Sequence, residues 1–168
     1  MKITKAYLQL TVLRPGVIFG ADDAFINLFA SLQAIAPVVP LAGARTRFQP
    51  VWVQDVAQAV VHALQHRDTI GQVYELVGPQ IFSLKELVQH AGRWAGHPRP
   101  VFALPEAMAY LQALVMEMLP GAPLMSRDNL ASMQVDNIAA GELPGLDALG
   151  VSAAARLDSV FPFPTSAA

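Results

Sequence analysis

A chain of 168 residues with 11 Lys plus Arg, 13 Asp plus Glu, four His and no Cys has the size of one globular domain and cannot be held by disulfides. Apolar residues make up 54% and charged residues only 14%, against the ~25% charge of an ordinary soluble domain, so a large core is expected, disorder is not, and part of the surface is short of polar groups. A formal charge of -2 offers no clustered cations for nucleic acid, no stretch reaches the ~20 apolar residues of a membrane span, and the segment after Met1 has no signal-peptide block, which reads as an intracellular soluble protein.

The run Leu8-Gln9-Leu10-Thr11-Val12-Leu13, stopped by Arg14-Pro15-Gly16, is short and apolar without clean alternation. It reads as a strand covered on both faces, the habit of parallel sheets. Asp22 or Asp23 can cap the next helix, where Phe25, Leu28, Phe29 and Leu32 recur at helical spacing and Pro37 marks the end. Pro50-Val51-Trp52-Val53 is a second extended piece, with Asp55 placed as N-cap of a helix from Val56 to about His66 that buries Ala57, Val60, Val61 and Leu64. Val73 to Val77, closed by Gly78-Pro79, is a third strand.

Ser83-Leu84-Lys85-Glu86 is a capping-box pattern opening a helix to about Trp94, with Gly92 and Gly96 framing its end. Between Pro105 and Pro120, Glu106 to Met118 reads as a helix apolar almost all round, which must be covered by core packing or, second, by a protein partner. Ser126-Arg127-Asp128 caps a short helix through Met133, and beyond it Gly, Pro and Ala make the tail irregular. No repeat and no linker divides the chain, so residues 1–168 form a single domain.

Three blocks in order carry a resemblance: Leu13-Arg14-Pro15-Gly16-Val17-Ile18-Phe19-Gly20, then Arg47-Phe48-Gln49-Pro50-Val51-Trp52-Val53-Gln54-Asp55-Val56-Ala57, then Tyr74-Glu75-Leu76-Val77-Gly78-Pro79 with Ser83-Leu84-Lys85-Glu86-Leu87. In this order they resemble the C-terminal half of extended or atypical short-chain dehydrogenase/reductase proteins of the epimerase/dehydratase-like kind, most closely the branch containing the Rossmann-type accessory subunit of respiratory complex I. The resemblance implies an α/β fold. It would be a partial Rossmann-like sheet of two or three parallel strands, with flanking helices and a small helical C-terminal region on the substrate side. It also implies NAD or NADP as the cofactor of the intact fold, with Pro15, Gly16, Val17 and Ile18 flanking the nicotinamide and Arg47, with Arg45 nearby, on a substrate phosphate.

Two parts of the family pattern do not occur in this sequence. No G-x-G-x-x-G register can be built on its 11 glycines, and that turn is what brings pyrophosphate to a helix N-terminus. Four residues beyond Tyr7, Tyr74 and Tyr110 stand Thr11, Gly78 and Leu114, so there is no Tyr-x-x-x-Lys, and Lys5 is no substitute. The expectation is a truncated or split reading frame that lacks the N-terminal dinucleotide-binding half. No cofactor would then be bound by this chain alone. Hydride transfer would need the tyrosine and lysine of another chain.

The competing class is a non-catalytic accessory or assembly protein, with a protein partner or self-association covering the open half. Such a protein would sit in the cytoplasm, peripheral to the inner membrane and without a transmembrane span. Other candidate groups have plainer explanations. Asp55, Asp22 and Asp23 are explained by capping, and His62 and His66 stand one turn apart without a third ligand, His66 being explained by a helix C-terminus.

Overall fold

A computed structural model describes residues 9–20, 23–118, 127–152 and 154–161. In chain order its elements are β1 (Val12–Pro15), β2 (Ile18–Phe19), α1 (Ala24–Ile35), β3 (Val39–Leu41), β4 (Arg47–Phe48), β5 (Val51–Trp52), α2 (Val53–Gln65), β6 (Val73–Leu76), β7 (Phe82–Ser83), α3 (Leu84–Trp94), β8 (Val101–Ala103), α4 (Glu106–Met118), α5 (Arg127–Ser132) and α6 (Leu157–Val160). Single 3-10 turns stand at Arg67–Thr69 and Asp147–Leu149. The strands form pairs: β1 with β6, β2 with β5 and β3 with β8 in parallel, and β4 with β7 antiparallel. The α/β class holds, but the chain is cut into more and shorter strands than the two or three expected.

β1 begins at Val12 rather than Leu8, which lies outside the described residues, and only Val12 and Leu13 are half-buried while Arg14 and Pro15 are exposed. A strand covered on both faces is therefore not what these residues make. Pro15-Gly16 bends the chain instead of ending it, so Ile18 and Phe19 resume as β2 against Val51 and Trp52. In β6 the burial alternates, with Tyr74 and Leu76 inward.

α1 starts where Asp23 Oδ1 accepts the NH groups of Phe25 and Ile26 at 2.6 and 2.8 Å, and it stops before Pro37. Ile26, Ala30 and Gln33 are its most buried residues, Phe25, Phe29 and Leu32 pack half-buried against the same core as the spacing predicts, and only Leu28 of that set faces outward. The burial of Gln33 has a cause in α3. Gln33, fully buried, donates from Nε2 to the Val88 carbonyl at 2.7 Å and accepts the Arg99 NH on Oε1 at 3.2 Å. Room for it comes from Gly92, which lies inside α3, where an added Cβ would stand 2.1 Å from Gln33 Oε1.

α2 is turned over relative to the expected face. Ala57, Val60, Val61 and Leu64 all point outward, Leu64 being 82% exposed, while Val56, Ala59 and Ala63 pack against Val51, Tyr74 and Leu76. Spacing alone could not choose between two apolar stripes, and the smaller residues let the helix lie close on the strands. In α4 the described side chains of Met108, Tyr110 and Leu111 are exposed and Ala109 is buried, so the cover expected for this helix is not provided by them.

The described part of the tail, as far as Phe161, packs into the core. Leu146, Leu149 and Val151 complete one core cluster, and Leu157 and Phe161 enter the other, where Phe161 meets Phe19 and Trp94 at ring distances of 6.1 and 4.8 Å.

The capping box forms as read: the Ser83 NH and hydroxyl donate to Glu86 Oε2 at 2.7 and 2.8 Å, and the Glu86 NH donates to Ser83 Oγ. These bonds hold the Glu86 carboxyl below the usual carboxylate range. One turn on, burial pushes the His90 imidazole below its usual range, with Arg93 adding repulsion. Both groups take up protons more readily when unfolded, so the stability they confer is present at neutral pH. It is lost on acidification, first below the ordinary imidazole pKa of ~6.5 and then below the carboxylate pKa of ~4.3. Thermal melts should drop in two steps, and His90→Gln should remove the first. A Ser83→Ala chain should lose about 1 kcal/mol and shrink the second step, to which Asp136 and Asp158, also held below the usual carboxylate range, contribute as well.

Candidate functional site

In open α/β sheets ligands sit beyond the carboxyl ends of parallel strands, and the β1–β6 pair ends at the loop that leads into β2. β1 closes at Pro15. The Gly16 NH donates to the Leu76 carbonyl at 3.0 Å, and the Val17 carbonyl accepts the Val51 NH at 2.9 Å, so residues 15–18 bridge the β1–β6 and β2–β5 pairs. Pro15 and Ile18 are exposed while Gly16 and Val17 are half-buried. The four residues read from the sequence are thus brought together as a short apolar ledge. An added Cβ on Gly16 would stand 3.1 Å from the Gln49 carbonyl oxygen and 3.3 Å from Asn137 Oδ1, so that ledge has a polar neighbour on one side.

Arg47 lies in β4, and its fork is already engaged. Asp136 Oδ2 takes Nε at 2.9 Å and an Nη at 2.8 Å, while Asp136 Oδ1 takes the Arg47 backbone NH at 2.8 Å. The backbone bond first, and the side-chain bond after it, hold the Asp136 carboxyl below the usual carboxylate range. Arg45, exposed in the preceding turn, is the second cation.

The chain around Asp136 is stitched down residue by residue. The Asn137 NH donates to the Arg47 carbonyl at 2.8 Å, and the Asn137 carbonyl accepts the Gln49 NH at 2.9 Å. Gln49 uses both ends of its carboxamide: Nε2 donates to the Gly78 carbonyl at 2.8 Å and Oε1 accepts the Ala139 NH at 3.0 Å. Further on, the Ala140 NH reaches Glu75 Oε2 at 3.2 Å and the Glu75 NH donates to the Pro144 carbonyl at 3.0 Å. Sequence reasoning missed Asp136, Asn137 and Gln49 as site residues. Gln49 sat inside a recognised block, but Asp136 and Asn137 gave no local signal because their partners are nearly 90 residues away.

Asp55 is not an N-cap. α2 begins at Val53 with Trp52 at the cap position, and the buried Asp55 carboxylate instead accepts the Ala155 NH at 2.7 Å, tying the tail to the first turn of α2. Asp23 does cap α1, and Asp22 lies outside the described residues. His62 and His66 stack with ring centroids 3.8 Å apart, and His66 Nδ1 is 2.9 Å from the His62 carbonyl at the end of α2, the terminal role expected of it. Among the described residues no group of three or more His, Cys, Asp or Glu could hold a metal ion, and no helix is long and apolar enough to cross a membrane.

Two hollows lie elsewhere on the described residues, and residues 15–18 line neither. One of about 500 Å³ lies between β1 and the outward stripe of α2, touching Leu10, Leu13, Val60 and Leu64. A groove of about 920 Å³ runs between the Gly43–Thr46 turn, the start of α4 and α5, with Arg45, Glu106 and Tyr110 among its polar groups.

No family model matches the chain. Among curated proteins it is 30% identical over 152 residues to NADH dehydrogenase (ubiquinone) 1 alpha subcomplex subunit 9, mitochondrial, of Rattus norvegicus, covering 89% of this chain and 40% of that protein. The subunit of the same name in Arabidopsis thaliana is 28% identical over 148 residues, 81% of this chain and 36% of its own length. The chain thus spans about two fifths of the curated relatives it matches. Among solved structures, a nucleoside-diphosphate-sugar epimerase from Staphylococcus aureus superposes with a TM-score of 0.59 at 15% identity, over 89% of this chain and 50% of its own. The resemblance read from the three blocks is borne out: in sequence the chain is homologous to these NADH dehydrogenase subunits, and in fold it matches about half of a Rossmann-like epimerase.

Proposed function

We propose that the chain is the nicotinamide-side portion of an accessory subunit of an NADH dehydrogenase-type assembly, where it helps hold a nucleotide and contacts neighbouring protein subunits rather than turning over a substrate. The observation that carries this reading is the ledge Pro15–Ile18. It joins the carboxyl end of the β1–β6 pair to the start of the β2–β5 pair and leaves Pro15 and Ile18 exposed, where a flat ring could lie. Sequence similarity to subunits of that assembly supports the accessory role. The exposed stripe Val60, Val61 and Leu64 supports burial against another surface, from a partner subunit or from a second copy. In this reading the protein works in the cytoplasm, peripheral to the inner membrane.

The residues present fit NAD or NADP only in part. Pro15, Gly16, Val17 and Ile18 suit the nicotinamide side, and Arg47 suits a phosphate once it is free of Asp136, but no Gly-rich turn for the pyrophosphate is encoded. The 168-residue chain should therefore show no measurable affinity for NADH or NADPH by calorimetry, and micromolar binding would overturn the division of labour proposed here.

The assembly role is tested by gently solubilising membranes from cells that carry a tagged chain. Co-migration of the tag with NADH dehydrogenase activity is expected, and a tag found wholly in the soluble fraction would defeat the reading. The second reading, an oxidoreductase or epimerase-like enzyme, is favoured only if a longer polypeptide supplying a Tyr-x-x-x-Lys turns over a carbonyl or sugar nucleotide.

A further inference from the structure

We propose that the outer face of the β3–β8 pair seats the protein on a membrane surface rich in anionic lipid headgroups, with Phe102 and Val38 entering the interface and Arg45 and Arg99 over the headgroups. This deepens the reading above by naming what the protein rests on, and it uses residues away from the Pro15–Ile18 ledge.

The strand register builds the face. Val39 stands against Val101 and Pro40 against Phe102. Side chains alternate along a strand, so Val39, Leu41 and Val101 turn into the core shared with α1 and α3, where all three are buried. Pro40 and Phe102 turn the other way and lie side by side. Phe102 is 58% exposed, and just ahead of the pair Val38 is 45% exposed and Pro100 is exposed too. The result is a small apolar face with an aromatic ring in its middle, standing in water.

Charge selects the occupant. Residues 24–54 and 87–105, which supply both strands and their approaches, contain no Asp or Glu, although the whole chain carries a net charge of -2. Arg45 follows β3 in the Gly43–Thr46 turn and Arg99 precedes β8, both exposed, so a cation stands at each end of the apolar face. The first carboxylate beyond β8, Glu106, opens α4 and lines the groove there. Apolar side chains flanked by cations are what an anionic bilayer surface attracts. A protein partner fits less well. The four side chains Val38, Pro40, Pro100 and Phe102 fall far short of the roughly 20–30 residues a side of a specific protein interface. Strand addition on β3 is also blocked. The Val39 NH is spent on the Pro100 carbonyl, and the next position, whose NH would face away from β8, is Pro40.

Flotation of the whole chain with vesicles tests this, using phosphatidylcholine alone and equal parts of phosphatidylcholine and phosphatidylglycerol. The parent chain should float with the mixed vesicles, stay behind with the neutral ones, and come off as salt screens the cations. Phe102→Ser should weaken binding about tenfold and Arg45→Gln about fivefold, each with a melting temperature close to the parent's because both side chains are exposed. Leu64→Ser, which removes a still more exposed apolar side chain from α2, should bind as the parent does. Equal binding to both kinds of vesicle, unchanged binding in Phe102→Ser, or an equal loss in Leu64→Ser would overturn the assignment of this face. A parent chain that ignores both kinds would overturn the lipid as its occupant, and if Phe102→Ser then still broke co-migration with NADH dehydrogenase activity, the face would belong to a protein. Vesicle binding without co-migration would defeat the assembly role alone, so the two proposals fail separately.

Discussion

Replacing Gly78 with alanine should cost about 3 kcal/mol or more, beyond the usual penalty for overpacking, because the new atom meets backbone rather than a movable side chain. A Cβ there would stand 2.0 Å from the Pro50 carbonyl oxygen and 3.1 Å from its carbon. Both residues are buried, so neither chain can swing into solvent to make room. The two stretches that must separate are the entry to β5 and the exit of β6. Those same stretches position the ledge on one side and the Gln49 bond to the Gly78 carbonyl on the other. At about 2–4 °C per kcal/mol for a chain of this size, the melting temperature should fall by roughly 10 °C. Calorimetric melting of the variant decides it, and a midpoint within a degree or two of the parent would show that the two segments part cheaply.

The second large effect is expected at Asp55. If this residue only capped a helix, its replacement by alanine would cost about 1 kcal/mol. The structure instead makes it the buried acceptor for the Ala155 NH, one hundred residues away. Truncation leaves that donor without its partner and loses a charge-assisted bond, for about 2–3 kcal/mol. The loss is not spread evenly. Residues 154–161 carry Leu157 and Phe161 into the core, so their release uncovers Phe19 and Trp94. Limited proteolysis of Asp55→Ala should therefore cut first in this segment, while Asp55→Asn, which keeps an acceptor in place, should resist nearly as well as the parent. Equal resistance in both variants would return Asp55 to a local role.

These two residues also mark how far the sequence could be read. Asp23 and the Ser83–Glu86 box were legible because a cap and the groups it satisfies lie within three residues of each other, and local spacing is then the whole of the physics. The Pro15–Ile18 turn was singled out by an ordered set of blocks, and it is the segment that joins β1 to β2. Asp55 sat in cap-like surroundings and was misread, because its true partner is distant in sequence. For α2 the spacing allowed two apolar faces, and only the tertiary fold could choose the one built of Val56, Ala59 and Ala63. The short strands β3, β4, β7 and β8, of two or three residues each, are too brief for any periodicity to appear. Asp136 and Asn137 had no local signature for the same reason as Asp55.

The parallel register that sets Val12 against Val73 has a consequence during synthesis. The first strand leaves the ribosome about 60 residues ahead of its mate, which at roughly 5–20 residues per second is a wait of several seconds. Val39 waits about as long for Val101. Over that interval β1 and β3 stand without the strands that pair with them in the fold, β6 and β8, and their edges are open to pairing with other chains.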